Sequence, residues 1–174
     1  MSAIRMNFHE ETEEAINKQI NVELYGSYAY LSMAYYFDRE DVALAGFSKF
    51  FKHESHEEQE HAEKLMEYMN KRGGRIMLQP VKKPFKDEWG SPLEAMEAAL
   101  AIEKHHNETM LALHKLAAKH EDAHCMDFLE KEFLDEEVCT LKKFADHVAN
   151  LKRCGTGLGE YLFDKETLQE KGSE

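Results

Sequence analysis

The chain has 174 residues, with 34 acidic against 22 basic side chains and a formal net charge of -12. Binding a phosphate backbone needs clustered Lys and Arg, so this balance argues against nucleic acid and suits a protein that handles cations or repels its own copies. No stretch approaches the roughly 20 consecutive apolar residues of a membrane span, and the length fits one domain occupying the whole chain.

Four long segments carry helical periodicity, and breakers fall between them. The first runs from about Glu10 to Phe37, and the second from near Ala45 to the Gly73-Gly74 pair. The third opens at Ser91-Pro92-Leu93-Glu94: Ser as N-cap, Pro at the first helical position, and a Glu able to reach back from the third. It continues to about Lys119; the fourth begins near His124 and ends around Cys154-Gly155. A short amphipathic piece, about Leu158 to Leu168, is too short to be stable without a partner surface.

The connections set the topology. Residues 38–44 and 119–123 are short enough to join antiparallel neighbours. Residues 74–90, with Pro80 and Pro84, have no clear period. The second helix should be about 40 Å long at ~1.5 Å per residue, and seventeen extended residues reach roughly 55 Å. The linker can therefore cross the whole bundle, so that the third helix starts at the same end as the second. The expectation is an all-α four-helix bundle with one long crossover, plus a short fifth helix.

Each helix places a glutamate in its apolar stripe. The first offers Ile16, Ile20, Glu23, Ser27, Tyr30 and Ala34; the second, Phe51, Glu54, Glu58, His61, Leu65 and Tyr68. The third offers Met96, Ala99, Glu103, His106 and Met110; the fourth, Phe133, Leu134, Glu137, Leu141 and Phe144. A single Glu at a stripe edge ordinarily snorkels to solvent. However, Glu23, Glu58, Glu103 and Glu137 all lie near the middle of their helices, and the middles share one level whatever the helix directions. Burying four carboxylates without compensation is prohibitive. Four converging carboxylates and one imidazole make a cation site, and oxygen-rich ligation suits iron or manganese more than structural zinc. Glu58-x-x-His61 is the sharpest element, because an i, i+3 pair points both ligands at one metal. A zinc-protease reading fails: His56 and His61 are five apart, about 140° round the helix, where the motif needs four.

The whole pattern resembles the heavy-chain, iron-oxidising type of ferritin. Ile20-Asn-Val-Glu-Leu-Tyr-Gly-Ser-Tyr-Ala-Tyr-Leu-Ser-Met is similar to that family's first helix. Ser55-His-Glu-Glu-Gln-Glu-His-Ala-Glu-Lys-Leu with Arg72-Gly-Gly-Arg is similar to its second, and Gly159-Glu-Tyr-Leu-Phe-Asp-Lys to its fifth. The resemblance runs from about Asn7 to Leu168. It implies one iron position at Glu23, Glu58 and His61, and a second at Glu58, as bridge, and Glu103, with Tyr30 beside them. It further implies that O2 oxidises two Fe(II) ions there and that ferric mineral collects inside a hollow shell of twenty-four copies, with co-assembly of other subunit types open. Asp127 and Glu130 match an acidic pair lining a three-fold channel for iron, and Glu57, Glu60 and Glu63 match residues that help nucleate mineral on the cavity face. A charge row is otherwise simply a solvated face. The sequence departs from the pattern at Glu137, where the family usually has Gln, which adds a charge and a potential direct ligand at the second iron. His106 is a second departure: it shares a flank with Glu103 and could complete a second Glu-x-x-His pair, although a packed core histidine is the favoured expectation. Glu54, one turn before Glu58, is a candidate relay for iron.

Two further expectations follow. The N-terminus lacks the basic start and apolar run of a secretory signal, and three cysteines (Cys125, Cys139, Cys154) form no stapling pattern, so reduced thiols in the cytoplasm are expected. The competing functional readings are a non-catalytic, light-chain-like storage subunit and a helical interaction module. Intact Glu23, Glu58, His61 and Glu103 argue against both.

Overall fold

The computed structural model describes residues 2–169, and every regular element among them is helical. Helix α1 spans Glu10–Phe37, α2 Ala45–Lys71 and α3 Pro92–Lys119. Helix α4 covers residues 123–154 without a break: α-helix over Ala123–Leu129, a π-helical turn over Glu130–Leu134, and α-helix again over Asp135–Cys154. Helix α5 joins an α turn, Leu158–Leu162, to a π turn, Phe163–Leu168.

The starts of α3 and α4 are written locally. Ser91 Oγ accepts from the Glu94 amide at 3.2 Å, and the Glu94 carboxylate accepts from the Ser91 amide at 2.7 Å, the reciprocal box the sequence predicts. Asp122 Oδ1 accepts from the Cys125 amide at 3.0 Å. The start of α2 has no local side-chain cap. Its Phe47 amide donates to Asp164 Oδ1 at 2.8 Å, so the cap comes from α5. Glycine at position 46 permits this approach, because a Cβ there would lie 2.2 Å from the Asp164 carbonyl oxygen.

The crossover is laid along α1. Asn17 donates to the Arg75 carbonyl at 3.0 Å and accepts from the Met77 amide at 2.8 Å. One turn on, Asn21 donates to the Pro80 carbonyl at 3.2 Å. Farther along, the Trp89 indole donates to Ser32 Oγ at 3.0 Å, and the Tyr36 hydroxyl to the Gly90 carbonyl at 2.7 Å. These contacts carry the chain from the start of α1 to its end, where α2 also begins. Helix α3 therefore runs parallel to α2 and antiparallel to α1, which is the one-crossover bundle.

Two apolar clusters fill the interior. One contains Tyr30, Met33, Phe37, Phe47, Phe51, Trp89, Met96 and Phe144; the other contains Ile16, Ile20, Leu65, Met69, Met110, Leu129 and Phe133. One expectation for α4 is corrected: Leu134 and Leu141 are only half-buried, whereas Phe133, Glu137 and Phe144 face inward, joined by His147 and Val148. Helix α5 finds its first partner within the chain: Phe163 stacks on Phe47 at 5.7 Å and meets His147 edge-on at 5.5 Å. Its other face, with Leu158, Tyr161 and Leu162, stays exposed.

Arg72 fastens the start of the crossover to α4, donating to Asp122 Oδ1 at 3.0 Å and to the Asn7 carbonyl at 2.9 Å. Asp122 is 1% exposed. Replacing it by Ala removes the carboxylate partner of Arg72, which keeps the Asn7 carbonyl, and uncaps α4, so Asp122→Ala should lower stability to chemical denaturation by about 2 kcal/mol. Metal stoichiometry, measured by titration of the same variant, should not change.

Candidate metal centre

Between the two apolar clusters lies a layer of ionisable side chains. Helix α1 supplies Glu23, α2 supplies Glu58 and His61, α3 supplies Glu103 and His106, and α4 supplies Glu137. All are buried, the four glutamates to between 1% and 3% exposure. The mid-helix positions do put them at one level.

The layer is built around Glu58. His61 Nδ1 lies 3.7 Å from Glu58 Oε1 and 3.9 Å from Glu23 Oε2. His106 Nδ1 lies 2.9 Å from Glu58 Oε2 and 3.5 Å from Glu23 Oε2. The Gln19 amide donates to Glu23 Oε1 at 2.6 Å, leaving Oε2 as the free oxygen. The Tyr30 hydroxyl donates to Glu103 Oε1 in a very short hydrogen bond, and also to the Ala99 carbonyl at 3.3 Å. A cavity of about 180 Å³, lined by Glu54, Glu58, His61, Glu103, Glu136 and Lys143 among others, leads outward between α2 and α4. A larger groove of about 640 Å³ on the outer side of α1, around Arg5, Asn17, Arg75 and Met77, contains no imidazole or thiol.

Protons occupy the places of cations here. Burial drives the Glu23 carboxyl well above the ordinary carboxylate range. It pushes Glu103 up to about 8 and Glu137 up to about 7, with the charge of Glu58 adding to both. Burial also opposes charge on Glu58, but the flanking imidazoles outweigh it and hold that carboxyl below its usual range. A charged imidazole is likewise disfavoured by burial, yet Glu58 and Glu23 lift His61 to about 9 and His106 to about 10. Burial first, and then Glu103, raises the Tyr30 hydroxyl as well.

Several of these atoms have no hydrogen-bond partner. They are Glu23 Oε2, Glu58 Oε2, Glu137 Oε2, His61 Nδ1 and both ring nitrogens of His106. Buried polar atoms are almost always paired, so such a group of orphans, all carboxylate oxygens and imidazole nitrogens, marks room for cations. One ligand atom each from Glu23, Glu58 and His106 lie within 4.8 Å of one another, as do those of Glu57, His61 and Glu136. The donors fit Fe(II): hard oxygens in excess, with a few nitrogens.

The other candidate residues fall into three groups. Glu54 lines the cavity, but its carboxylate accepts from Lys143 Nζ at 2.6 Å, and burial raises its pKa against that pairing. Glu57, Glu60 and Glu63 form an outer row on α2, with Glu57 half-buried and the others exposed. Asp127 and Glu130 are exposed on α4, paired with Lys131 at 2.9 Å and His114 at 2.8 Å. His106 is buried, but among carboxylates: Nδ1 faces Glu58 and Glu23, and Nε2 has no hydrogen-bond partner. The sequence reading also missed three supporting groups. Gln19 stands one turn before Glu23 and could have been found by its spacing. Glu136, 3.5 Å from His61 Nε2, and Lys143 depend on the helix-packing geometry and could not.

Two comparisons bear on this arrangement. A family model described as "Ferritin-like domain" matches residues 13–154. The chain is 64% identical over 168 residues to the protein named "Soma ferritin" of Lymnaea stagnalis, covering 97% of each.

Raised folded-state values on Glu23, Glu103, Glu137, His61 and His106 mean that the folded chain binds more protons than the unfolded one. Stability must then fall as pH rises. Without metal, the melting temperature should decline from about pH 4.5, the ordinary glutamate value, to about 10, where His106 loses its proton. Zn(II), which replaces those protons, should flatten the decline. Melts in chelator and in Zn(II) across that window test this; parallel curves would contradict it.

Proposed function

Because the chain belongs to the ferritin family, whose members store iron, we propose that it is an iron-oxidising subunit: a ferroxidase that takes Fe(II) and O2 as substrates and deposits the ferric product. The observation that carries this reading is the layer of four buried glutamates, three of them with an orphaned oxygen. A subunit that only built a shell would gain nothing from the expense of burying them.

Glu23, Glu58 and His61 would hold one Fe(II), and Glu58, Glu103 and Glu137 a second, two per chain. Iron here is substrate and passing cargo. Two Fe(II) supply two electrons together, matching the two-electron reduction of O2 to the level of hydrogen peroxide. Carboxylates favour the harder Fe(III) over Fe(II), which aids electron loss. Tyr30 fixes the orientation of Glu103 through its hydroxyl, and Gln19 does the same for Glu23, so one oxygen of each is aimed inward. The low-dielectric walls above and below exclude bulk water from the layer.

Around this centre the other acidic groups form a route. Asp127 and Glu130, repeated about a three-fold axis, would concentrate Fe(II) at a channel. Glu54 would pass it inward by exchanging Lys143 for iron, and Glu57, Glu60 and Glu63 would seed mineral. The assembly would be a hollow shell of twenty-four copies, with the exposed face of α5 meeting its equivalents; other ferritin subunits could join through the same surfaces. The proposed organisation is one domain per chain, and the proposed compartment is the cytoplasm, in keeping with three free cysteines.

Aerobic addition of Fe(II), followed by ferric absorbance, tests the activity. Wild type should oxidise iron far faster than the double variant Glu58→Ala/His61→Ala; equal rates would instead leave the chain a storage subunit without catalysis. Glu137 adds a charge at the second position, and so should hold iron longer and release ferric product more slowly. Glu137→Gln should raise the steady-state rate several-fold while weakening anaerobic binding at one position, both readable by stopped flow and calorimetry.

A further inference from the structure

The proposal above uses one imidazole, His61. A second stands in the same layer. His106 follows Glu103 by three residues on α3, as His61 follows Glu58 on α2. The two imidazoles face opposite oxygens of one carboxylate: His61 Nδ1 is 3.7 Å from Glu58 Oε1, and His106 Nδ1 is 2.9 Å from Glu58 Oε2. Both also approach Glu23 Oε2, at 3.9 Å and 3.5 Å.

Two features of His106 resist explanation as packing. Its ring is 1% exposed; Nδ1 faces only the Glu58 and Glu23 carboxylates, and Nε2 makes no hydrogen bond. An apolar residue would fill the space without that penalty. The ring also has room only because residue 26 is glycine. A Cβ at Gly26 would lie 2.4 Å from His106 Cε1 and 2.9 Å from Nε2. Glycine inside α1 costs about 1 kcal/mol relative to alanine. The bundle thus gives up helix stability to admit a ring left unsatisfied at Nε2.

We propose that His106 is a metal ligand that completes a second Glu-x-x-His pair with Glu103, so that two cations bridged by Glu58 each carry one imidazole. His61 serves the cation on the Oε1 side and His106 the one on the Oε2 side. This rests on the reading of the layer as a metal centre. One glutamate from each of two helices and a Glu-x-x-His pair from each of the other two is a donor set by which bundles hold paired metals. The 2.9 Å between His106 Nδ1 and Glu58 Oε2 fits: ligands in adjacent octahedral positions, at bonds of about 2.1 Å, lie about 3 Å apart. The charge fits too, since four carboxylates offset two dications with both imidazoles neutral. The consequence is that the second cation, otherwise held by oxygen alone, is retained about as firmly as the first.

Co(II) tests this without any oxidation of iron. The assembled protein is titrated anaerobically by calorimetry and visible absorption, then loaded to two equivalents for X-ray absorption, which counts imidazoles per metal. Wild type should show two Co(II) of similar affinity and an average of one imidazole per Co(II). His106→Val should weaken one of them tenfold or more and halve the imidazole count. Gly26→Ala keeps the imidazole but takes its room, and should do the same. Circular dichroism and particle size establish that each variant folds and assembles. If neither does, the wild-type count still decides: one imidazole for two Co(II) overturns the proposal. Binding that is lost in Glu58→Ala/His61→Ala but unaltered in His106→Val and Gly26→Ala overturns the role of His106 alone. Wild type that binds no Co(II) in the layer overturns it together with the metal-centre reading.

Discussion

Four carboxyl groups and two imidazoles are held at one level between two apolar clusters, out of reach of bulk water. Ionised carboxylates buried without partners would cost more than the whole stability of a domain. The metal-free chain tolerates them by binding protons: Glu23, Glu103 and Glu137 are pushed up by burial, and His61 and His106 are held cationic around Glu58. Cations can replace those protons, since two dications balance the four carboxylates once both imidazoles are neutral, so the same groups that burden the bundle would serve as ligands.

Much of the remaining structure holds that layer in place. Helix α1 acts as a guide for the crossover, with Asn17, Asn21, Ser32 and Tyr36 receiving successive parts of it. Parallel α2 and α3 follow, both packed on α1, and with them two Glu-x-x-His pairs that point inward. Helix α5 closes the far end by capping α2 through Asp164 and covering the Phe47 ring. A π turn in α4 sits one helical turn before Glu137 and sets the rotation at which that side chain enters. π turns are rare and frequently stand beside functional groups.

The acidic surface has a different character from the layer. Asp127 and Glu130 are each paired with a neighbouring basic group, and such exposed pairs are worth little in stability. Exposed pairs of this kind exchange readily, as a route for cations through a repeated channel would require. Glu54 stands between the two regimes, buried but answered by Lys143.

The sequence by itself determined the helices, the topology and the four glutamates. Periodicity and capping are local, and loop length against helix length decides which ends can meet. The equal depth of Glu23, Glu58, Glu103 and Glu137 was legible because a helix rises by a fixed amount per residue. The half-burial of Leu134 and Leu141 was not legible, because it depends on how α4 packs against its neighbours. Nor was the place of His106. Whether a buried imidazole packs or ligates depends on which atoms face it from other helices, and on the missing Cβ of Gly26, eighty positions earlier in the chain. Only the tertiary structure brings that glycine, Glu58 and His106 together.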